Sequence, residues 1–266
     1  MGQVTGVGWS DRVGNTARNV FRPGYARVMG AKLLGRVRGD ARKTAAAVTW
    51  AKPRSVPIPR YCETLDAELW AEAETFGTEL RARADELGRA HGVELGGGAR
   101  VELLFFLTRL RRPETVLETG VLHGYSSAAF LEAMARNGNG GRLLSSDFPY
   151  FREKDPEALV GVLVPDEYRD RWTLLLEGDR RNLPALLASG SSIDLFHYDS
   201  DKSYRGRQWG TATVEPHLAP DAWILMDDIQ DNLFFRDWTQ STGRKPTVLG
   251  TGSYFVGGAN IPPPAR

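Results

Sequence analysis

The chain has 266 residues, 41% apolar and 25% charged, with a formal net charge of +1, which is enough for one sizeable core and excludes a low-complexity or disordered polymer. No apolar run approaches the ~20 residues that cross a bilayer, and the first residues lack the basic, apolar and cleavage regions of a signal peptide. Cys62 is the one cysteine, which excludes an internal disulfide and a cysteine-based zinc site.

Gly6 stands where N-myristoylation would need Ser or Thr, so no membrane partner and a cytoplasmic location are expected. The small net charge conceals an asymmetry. Residues 1–60 hold twelve Lys and Arg against Asp11 and Asp40, a net of +10, and the remainder carries −9. A basic arm on an acidic body points to an acidic face of a second subunit, to nucleic acid, or to a solvated arm. The second subunit ranks ahead of nucleic acid, because the arm has no zinc-finger, helix-turn-helix or RNA-recognition signature.

In chain order, residues 24–50 read as short helices, and Lys52–Pro59, with three prolines, as an extended linker. This divides the chain into an N-terminal extension, 1–60, and a main domain, 61–266. Leu65, Leu69, Phe76, Leu80, Ala84 and Leu87 recur at helical spacing, predicting an amphipathic helix over 63–90. Gly96-Gly97-Gly98 breaks the chain before a second helix through Val101, Leu104, Phe105 and Thr108.

From residue 114 short apolar strands alternate with helical stretches. Strands are predicted at 115–118, 142–146, 173–177, 193–198 and 222–226, with helices near 125–136, 156–162, 181–189 and 203–217. Such alternation means right-handed βαβ units and a parallel sheet. Residues 247–249 and 253–256 flank Gly250-Thr251-Gly252 and read as a closing β-hairpin.

In open α/β sheets the ligand lies beyond the carboxyl ends of the strands, so the residues after each strand carry the chemistry. After the first comes Glu118-Thr119-Gly120-Val121-Leu122-His123-Gly124-Tyr125-Ser126, a tight turn leading into a helix start. Its spacing is E-x-G-x-x-x-G rather than the G-x-G-x-x-G of dinucleotide sites. Asp147 follows the second strand, Glu177-Gly178-Asp179 the third, His197-Tyr198-Asp199-Ser200-Asp201-Lys202-Ser203-Tyr204 the fourth, and Asp227-Asp228 the fifth. Each acid alone is more often a turn residue or a helix cap. Three polar anchors at three successive strand ends are harder to attribute to chance. Asp199, Asp227 and Asp228 crowded in one mouth would favour shared protons or a bound cation.

The Gly-rich turn with its preceding acid resembles the first motif of class I S-adenosylmethionine-dependent methyltransferases. That resemblance implies a Rossmann-like, mostly parallel seven-stranded sheet with a C-terminal antiparallel hairpin. It also implies that Glu118, Gly120, Gly124 and Ser126 serve the amino-acid part of S-adenosylmethionine, Asp147 the ribose and Asp179 the adenine, with Asp199 close by. The D-x-D-K-x-Y run and the later acidic pair resemble the cation-dependent O-methyltransferases, such as the catechol and caffeoyl-coenzyme A enzymes. Carried over, Asp199, Asp227 and Asp228 bind Mg²⁺ or another divalent cation, and Lys202 is the general base. The chain departs from that pattern in its Asp-Asp pair where Asp-Asn is usual, in Tyr204 one residue closer to the lysine, and in His197-Tyr198 before the first Asp. Related bacterial sugar and macrolide O-methyltransferases have His where this chain has Lys202. The resemblance covers about residues 100–257.

A lysine near pKa ~10.4 is a poor base at neutral pH; burial or a cation would lower it, whereas Asp201 would raise it. His197 is the second candidate base, though its place before the strand end also suits a packed core histidine. Trp209, Trp223 and Trp238 suit the core, and Trp238 with Tyr150 would flank a planar acceptor. The expected reaction is methyl transfer to a hydroxyl of a small molecule such as a catechol, a sugar or another natural product, by an enzyme forming a homodimer through the arm and helix 63–90. The alternatives are a metal-independent methyltransferase acting on O, N or C, and a nucleic-acid-associated protein using the basic arm. A nicotinamide-dependent dehydrogenase fits the glycine spacing least.

Overall fold

The computed structural model describes residues 41–96, 100–149 and 157–264. The expectations for residues 1–40 of the basic arm, for Gly97 and Gly98 and for Tyr150 lie outside them. Helices α1 (Ala41–Ala51), α2 (Ile58–Leu65), α3 (Ala67–His91) and α4 (Val101–Arg111) precede the alternating part. The strands are β1 (Ser55–Val56), β2 (Thr115–Thr119), β3 (Arg142–Ser146), β4 (Trp172–Leu175), β5 (Ile193–Tyr198), β6 (Leu218–Met226), β7 (Pro246–Thr251) and β8 (Tyr254–Ala259). Between them run α5 (Tyr125–Asn137), α6 (Asp179–Leu187), α7 (Tyr204–Val214) and α8 (Phe234–Thr242).

One sheet holds all eight strands in the order β1-β7-β8-β6-β5-β2-β3-β4. It is parallel from β6 through β4, and β8 runs antiparallel to both β6 and β7. The expected Rossmann-like, mostly parallel sheet with an antiparallel hairpin is borne out. An eighth, two-residue strand adds to it at the edge. Successive side chains of a strand point to opposite faces, and here both faces are covered. Val116, Leu195 and Leu225 join the core under α2–α5, whereas Leu117, Phe196, Ile224 and Met226 join the one under α6–α8. That is why β2 is buried at all five positions and its sequence does not alternate.

Three elements differ from the sequence expectation. The proline-rich stretch is not a free linker: it makes a 3₁₀ turn at Lys52–Arg54, and then Ser55 and Val56 pair in parallel with Val248 and Leu249. Pro59 falls in the first turn of α2, where its missing N–H costs nothing. The helix expected over 63–90 is two helices, because Asp66 is extended (φ −163°) and its side chain accepts the Leu69 N–H at 2.9 Å as the N-cap of α3. Residues 157–164 form successive turns instead of a helix, since Gly161 (φ +68°) gives its N–H to the Leu122 carbonyl rather than to its own segment. Among the described residues no helix is long and apolar enough to cross a membrane.

Candidate active site

The strand order grows from β2 through β3 to β4 on one side and through β5 to β6 on the other, so the sheet reverses between β2 and β5. A crevice opens beyond the carboxyl ends at such a point. The hydrogen-bond ladder continues one residue past the strands there. Asp147 N–H donates to Leu175, Gly120 N–H to Ser146, Asp199 N–H to Thr119 and Asp227 N–H to Tyr198, all at 2.8–3.0 Å. These bonds set Asp147, Gly120, Asp199 and Asp227 in one row along the sheet's edge.

The turn between β2 and α5 needs left-handed backbone at Gly120 (φ +88°), Leu122 (φ +48°) and Gly124 (φ +93°). Both glycines face protein backbone: a Cβ at Gly120 would lie 2.7 Å from the Asp199 carbonyl, and one at Gly124 would lie 2.8 Å from Gly161 Cα. Residues 157–164 are clipped over this turn by Gly161 N–H to Leu122 O and Leu163 N–H to His123 O. Helix α5 starts without a side-chain cap, which leaves its first amides and positive dipole end available to an anion.

Beneath the turn, the fully buried Glu118 accepts the hydroxyls of Ser127 (2.6 Å) and Ser145 (2.8 Å), with the buried Ser126 beside it. Burial raises its pKa, against the opposing pull of His197 and the serine hydroxyls. Asp147 Oδ2 accepts the Leu122 N–H at 2.9 Å and so holds the turn. Asp179 accepts Ser146 Oγ (2.6 Å) and Ser200 Oγ (2.5 Å), tying the ends of β3 and β5 together. Buried Asn182 donates to the carbonyls of Leu175 and Asp147 and to Ser146 Oγ, at 2.8–3.1 Å.

The acidic mouth is organised around lysine. Lys202 Nζ lies 2.5 Å from Asp199 Oδ1 and also donates to Asp228 Oδ2. Burial would lower its pKa, but Asp199 and Asp228 outweigh that and raise it above the ordinary lysine range. This is opposite to what a general base requires. Asp199 is pushed up to about 6 by burial and by Asp227, with Lys202 and His197 pulling the other way. The side chain of His197 is fully buried, its ring edge-on to Phe130 and its Nε2 3.9 Å from Asp227 Oδ1. For His197, burial favours the neutral ring, yet Asp227, Asp199 and Glu118 raise its pKa. Burial opposes ionisation of Asp227 too, but His197 and then Lys202 and Arg100 bring its pKa below the usual range. His197 therefore lies inside the sheet, beneath the mouth.

Three residues that sequence reasoning missed hold this mouth in shape. Arg207, fully buried in α7, donates from Nη2 to the carbonyls of both Asp227 and Asp228 at 2.9 Å. This clamps the turn in which Asp228 is left-handed (φ +52°). Gln230 Nε2 donates to Asp228 Oδ1 at 2.9 Å, and Asn232 Nδ2 donates to the Lys202 carbonyl at 2.7 Å. Helix α1 backs the same loop, its Ala47 and Ala51 buried and its Trp50 edge-on to Phe235 at 6.2 Å. Trp238 lines a cavity of about 280 Å³ between α7 and α8, with Tyr204, Phe234 and Glu215, along the flank of the sheet.

A hard divalent ion takes six or more oxygens at about 2.1–2.6 Å, so three carboxylates must turn free lone pairs to one point. Here both Asp228 oxygens accept hydrogen bonds, and Asp199 Oδ1 faces the ammonium. Among the described residues no group of three His, Cys, Asp or Glu side chains is disposed to hold a metal ion. The expected trio of Asp199, Asp227 and Asp228 does not fit the ion in this arrangement, because Lys202 and Gln230 occupy both oxygens of Asp228 and Lys202 one of Asp199. The row of carboxylates and the uncapped start of α5, by contrast, have the donors and charge that the amino-acid and ribose parts of S-adenosylmethionine require.

Residues 117–229 match the family described as a methyltransferase domain. TomG, an O-methyltransferase from Streptomyces achromogenes involved in tomaymycin synthesis and solved with S-adenosylmethionine, is 18% identical with a TM-score of 0.51, over 68% of this chain and 89% of that one. An O-methyltransferase from Bacillus cereus, in complex with S-adenosylhomocysteine, is 15% identical with a TM-score of 0.52, over 68% of this chain and 90% of that one. A methyltransferase from Geobacter sulfurreducens is 18% identical with a TM-score of 0.50, over 68% and 88%. At these identities the likeness concerns the fold. No curated protein sequence matches the chain.

Proposed function

From the methyltransferase domain over residues 117–229, we propose that the protein transfers a methyl group from S-adenosylmethionine to a hydroxyl of a small molecule. The observation that carries this reading is the row Asp147, Gly120, Asp199 and Asp227 at the reversal point of the sheet, with a lysine ammonium held at its mouth. The Streptomyces and Bacillus proteins of this fold are described as O-methyltransferases, with S-adenosylmethionine and S-adenosylhomocysteine bound. When bound, S-adenosylmethionine supplies an electrophilic methyl group on a sulfonium.

The chain's residues divide the remaining work. The uncapped start of α5 and the turn at Gly120–Gly124 receive the charged amino-acid end, Asp147 the ribose hydroxyls and Asp179 the adenine side. Lys202 keeps its proton and orients the acceptor oxygen by a charge-assisted hydrogen bond, stabilising negative charge as it develops. Asp199, paired with that ammonium, takes the proton that the acceptor hydroxyl gives up. No step passes through a divalent cation.

The test is direct. S-adenosylhomocysteine is titrated calorimetrically into the full chain, and phenols, catechols and sugars are then offered with isotope-labelled S-adenosylmethionine. Saturable binding and label on oxygen are expected. No nucleoside binding, or label on nitrogen or carbon alone, would sink the proposal.

A further inference from the structure

We propose that the ammonium of Lys202 is the resident cation of this site, filling the place for which resemblance implies a divalent metal ion, so that the chain runs without one. The inference deepens the functional reading above and rests on it for the reaction, though not for the cation.

Three arrangements carry it. First, Nζ stands between carboxylates from two different strand ends, 2.5 Å from Asp199 Oδ1 after β5 and in contact with Asp228 Oδ2 after β6. An ammonium is a compact point charge with three donors, and two carboxylates account for two of them. The third is left for an acceptor oxygen.

Second, the lysine is built in at both ends. Asn232 holds its carbonyl, and one residue later Ser203 caps α7 by accepting the Gly206 N–H at 3.0 Å. Asp228 is fixed on the other side by Gln230 and by the Arg207 clamp on its own and the preceding carbonyl. The pair is therefore framed by buried or half-buried side chains, unlike a surface ion pair between two free arms.

Third, two of the three carboxylates already face a cation. The carboxylates of Asp199 and Asp228 face the Lys202 ammonium, and the Arg207 guanidinium lies under their loop. A 2+ ion brought among these carboxylates would meet a unit positive charge a few ångströms away, and repulsion at that range in a partly buried site is worth several kcal/mol. Entry of the ion requires the lysine to give up its contacts with Asp199 and Asp228. The Asp-Asp pair, in which the chain departs from the usual Asp-Asn, then has a purpose: Asp228 supplies the carboxylate that holds the lysine.

The experiment titrates Mn²⁺, followed by its electron paramagnetic resonance, and Mg²⁺, followed by calorimetry, into the chelator-stripped full chain saturated with S-adenosylhomocysteine. The chains compared are wild type, Lys202→Met and Lys202→Met/Asp227→Ala. Wild type is expected to bind neither ion saturably up to millimolar concentration. Lys202→Met is expected to gain a saturable site at least tenfold tighter than any residual wild-type binding, and the double variant to lose it. Stoichiometric binding by wild type overturns the proposal, and so does failure of Lys202→Met to gain a site. Circular dichroism and S-adenosylhomocysteine binding show that each variant is folded. If the nucleoside does not bind at all, the methyltransferase reading fails while the ion titrations still decide the role of Lys202.

Discussion

The carboxylate of Asp147 accepts the backbone N–H of Leu122 at 2.9 Å, so the residue after β3 also holds the turn after β2. Leu122 is left-handed (φ +48°), a conformation a leucine keeps only when its surroundings fix it. Asp147→Ala frees both the turn and the ribose side of the crevice. Loss of one charge-assisted bond is worth roughly 1.5–3 kcal/mol. S-adenosylhomocysteine affinity is expected to fall about tenfold or more by calorimetry, with the thermal midpoint of the nucleoside-free protein lowered by roughly 3–10 °C.

Gly124 and Gly138 are both left-handed, at φ +93° and +66°. A Cβ at Gly138 meets nothing within 4 Å, whereas one at Gly124 would strike Gly161 Cα at 2.8 Å. Gly138→Ala is expected to cost about 1 kcal/mol from backbone strain alone. Gly124→Ala carries that strain plus displacement of residues 157–164, and is expected to cost at least twice as much in urea unfolding. Equal losses would show that the docked segment yields freely.

Arg207 serves the mouth from behind. Arg207→Met keeps most of the side-chain volume but abandons the carbonyls of Asp227 and Asp228. A stability loss of about 2 kcal/mol is expected. Turnover is expected to fall by a larger factor than nucleoside affinity, because the bonds lost position Asp228 and through it Lys202.

Asp199 has its pKa raised to about 6, chiefly by burial and then by Asp227. A carboxyl raised on folding binds its proton more tightly in the native state. Its contribution to stability is thus complete below the unfolded value near 3.9 and is lost as pH rises through about 6. The stability of wild type relative to Asp199→Asn is expected to decline between pH 4 and 6 and then level off, in denaturant unfolding at a series of pH values. A difference that stays flat over that range would place the Asp199 carboxyl at its ordinary value.

The sheet and its strand ends were legible because their signals are local. Short strand-like runs at 115–118, 142–146 and 193–198, each followed by a polar residue, read directly as parallel strands with a functional edge. Charge in the mouth was legible as a concentration of Asp, but the partner of each carboxylate was not. Lys202 is one residue past Asp201 in sequence, yet it reaches Asp199 and Asp228. Its protonation follows from that geometry and not from its neighbour. Arg207 lies in a helix where an arginine ordinarily reads as a solvated face; only the fold turns it inward beneath residues 227–228. Ser55 and Val56 carry no strand periodicity in two residues, and their pairing depends on β7, nearly two hundred positions away.

That last pairing sets an order of events during synthesis. β1 leaves the ribosome long before the strand it lies against, Pro246–Thr251, is made. Tyr61 is bound the same way, its hydroxyl donating to the Pro262 carbonyl at 2.7 Å. Contacts of such separation form late, since the intervening chain must close first. The nascent α1 and α2 thus wait with part of their apolar faces uncovered until residues 229–231 and β7 arrive. During that interval the exposed apolar surface makes the chain most prone to aggregation.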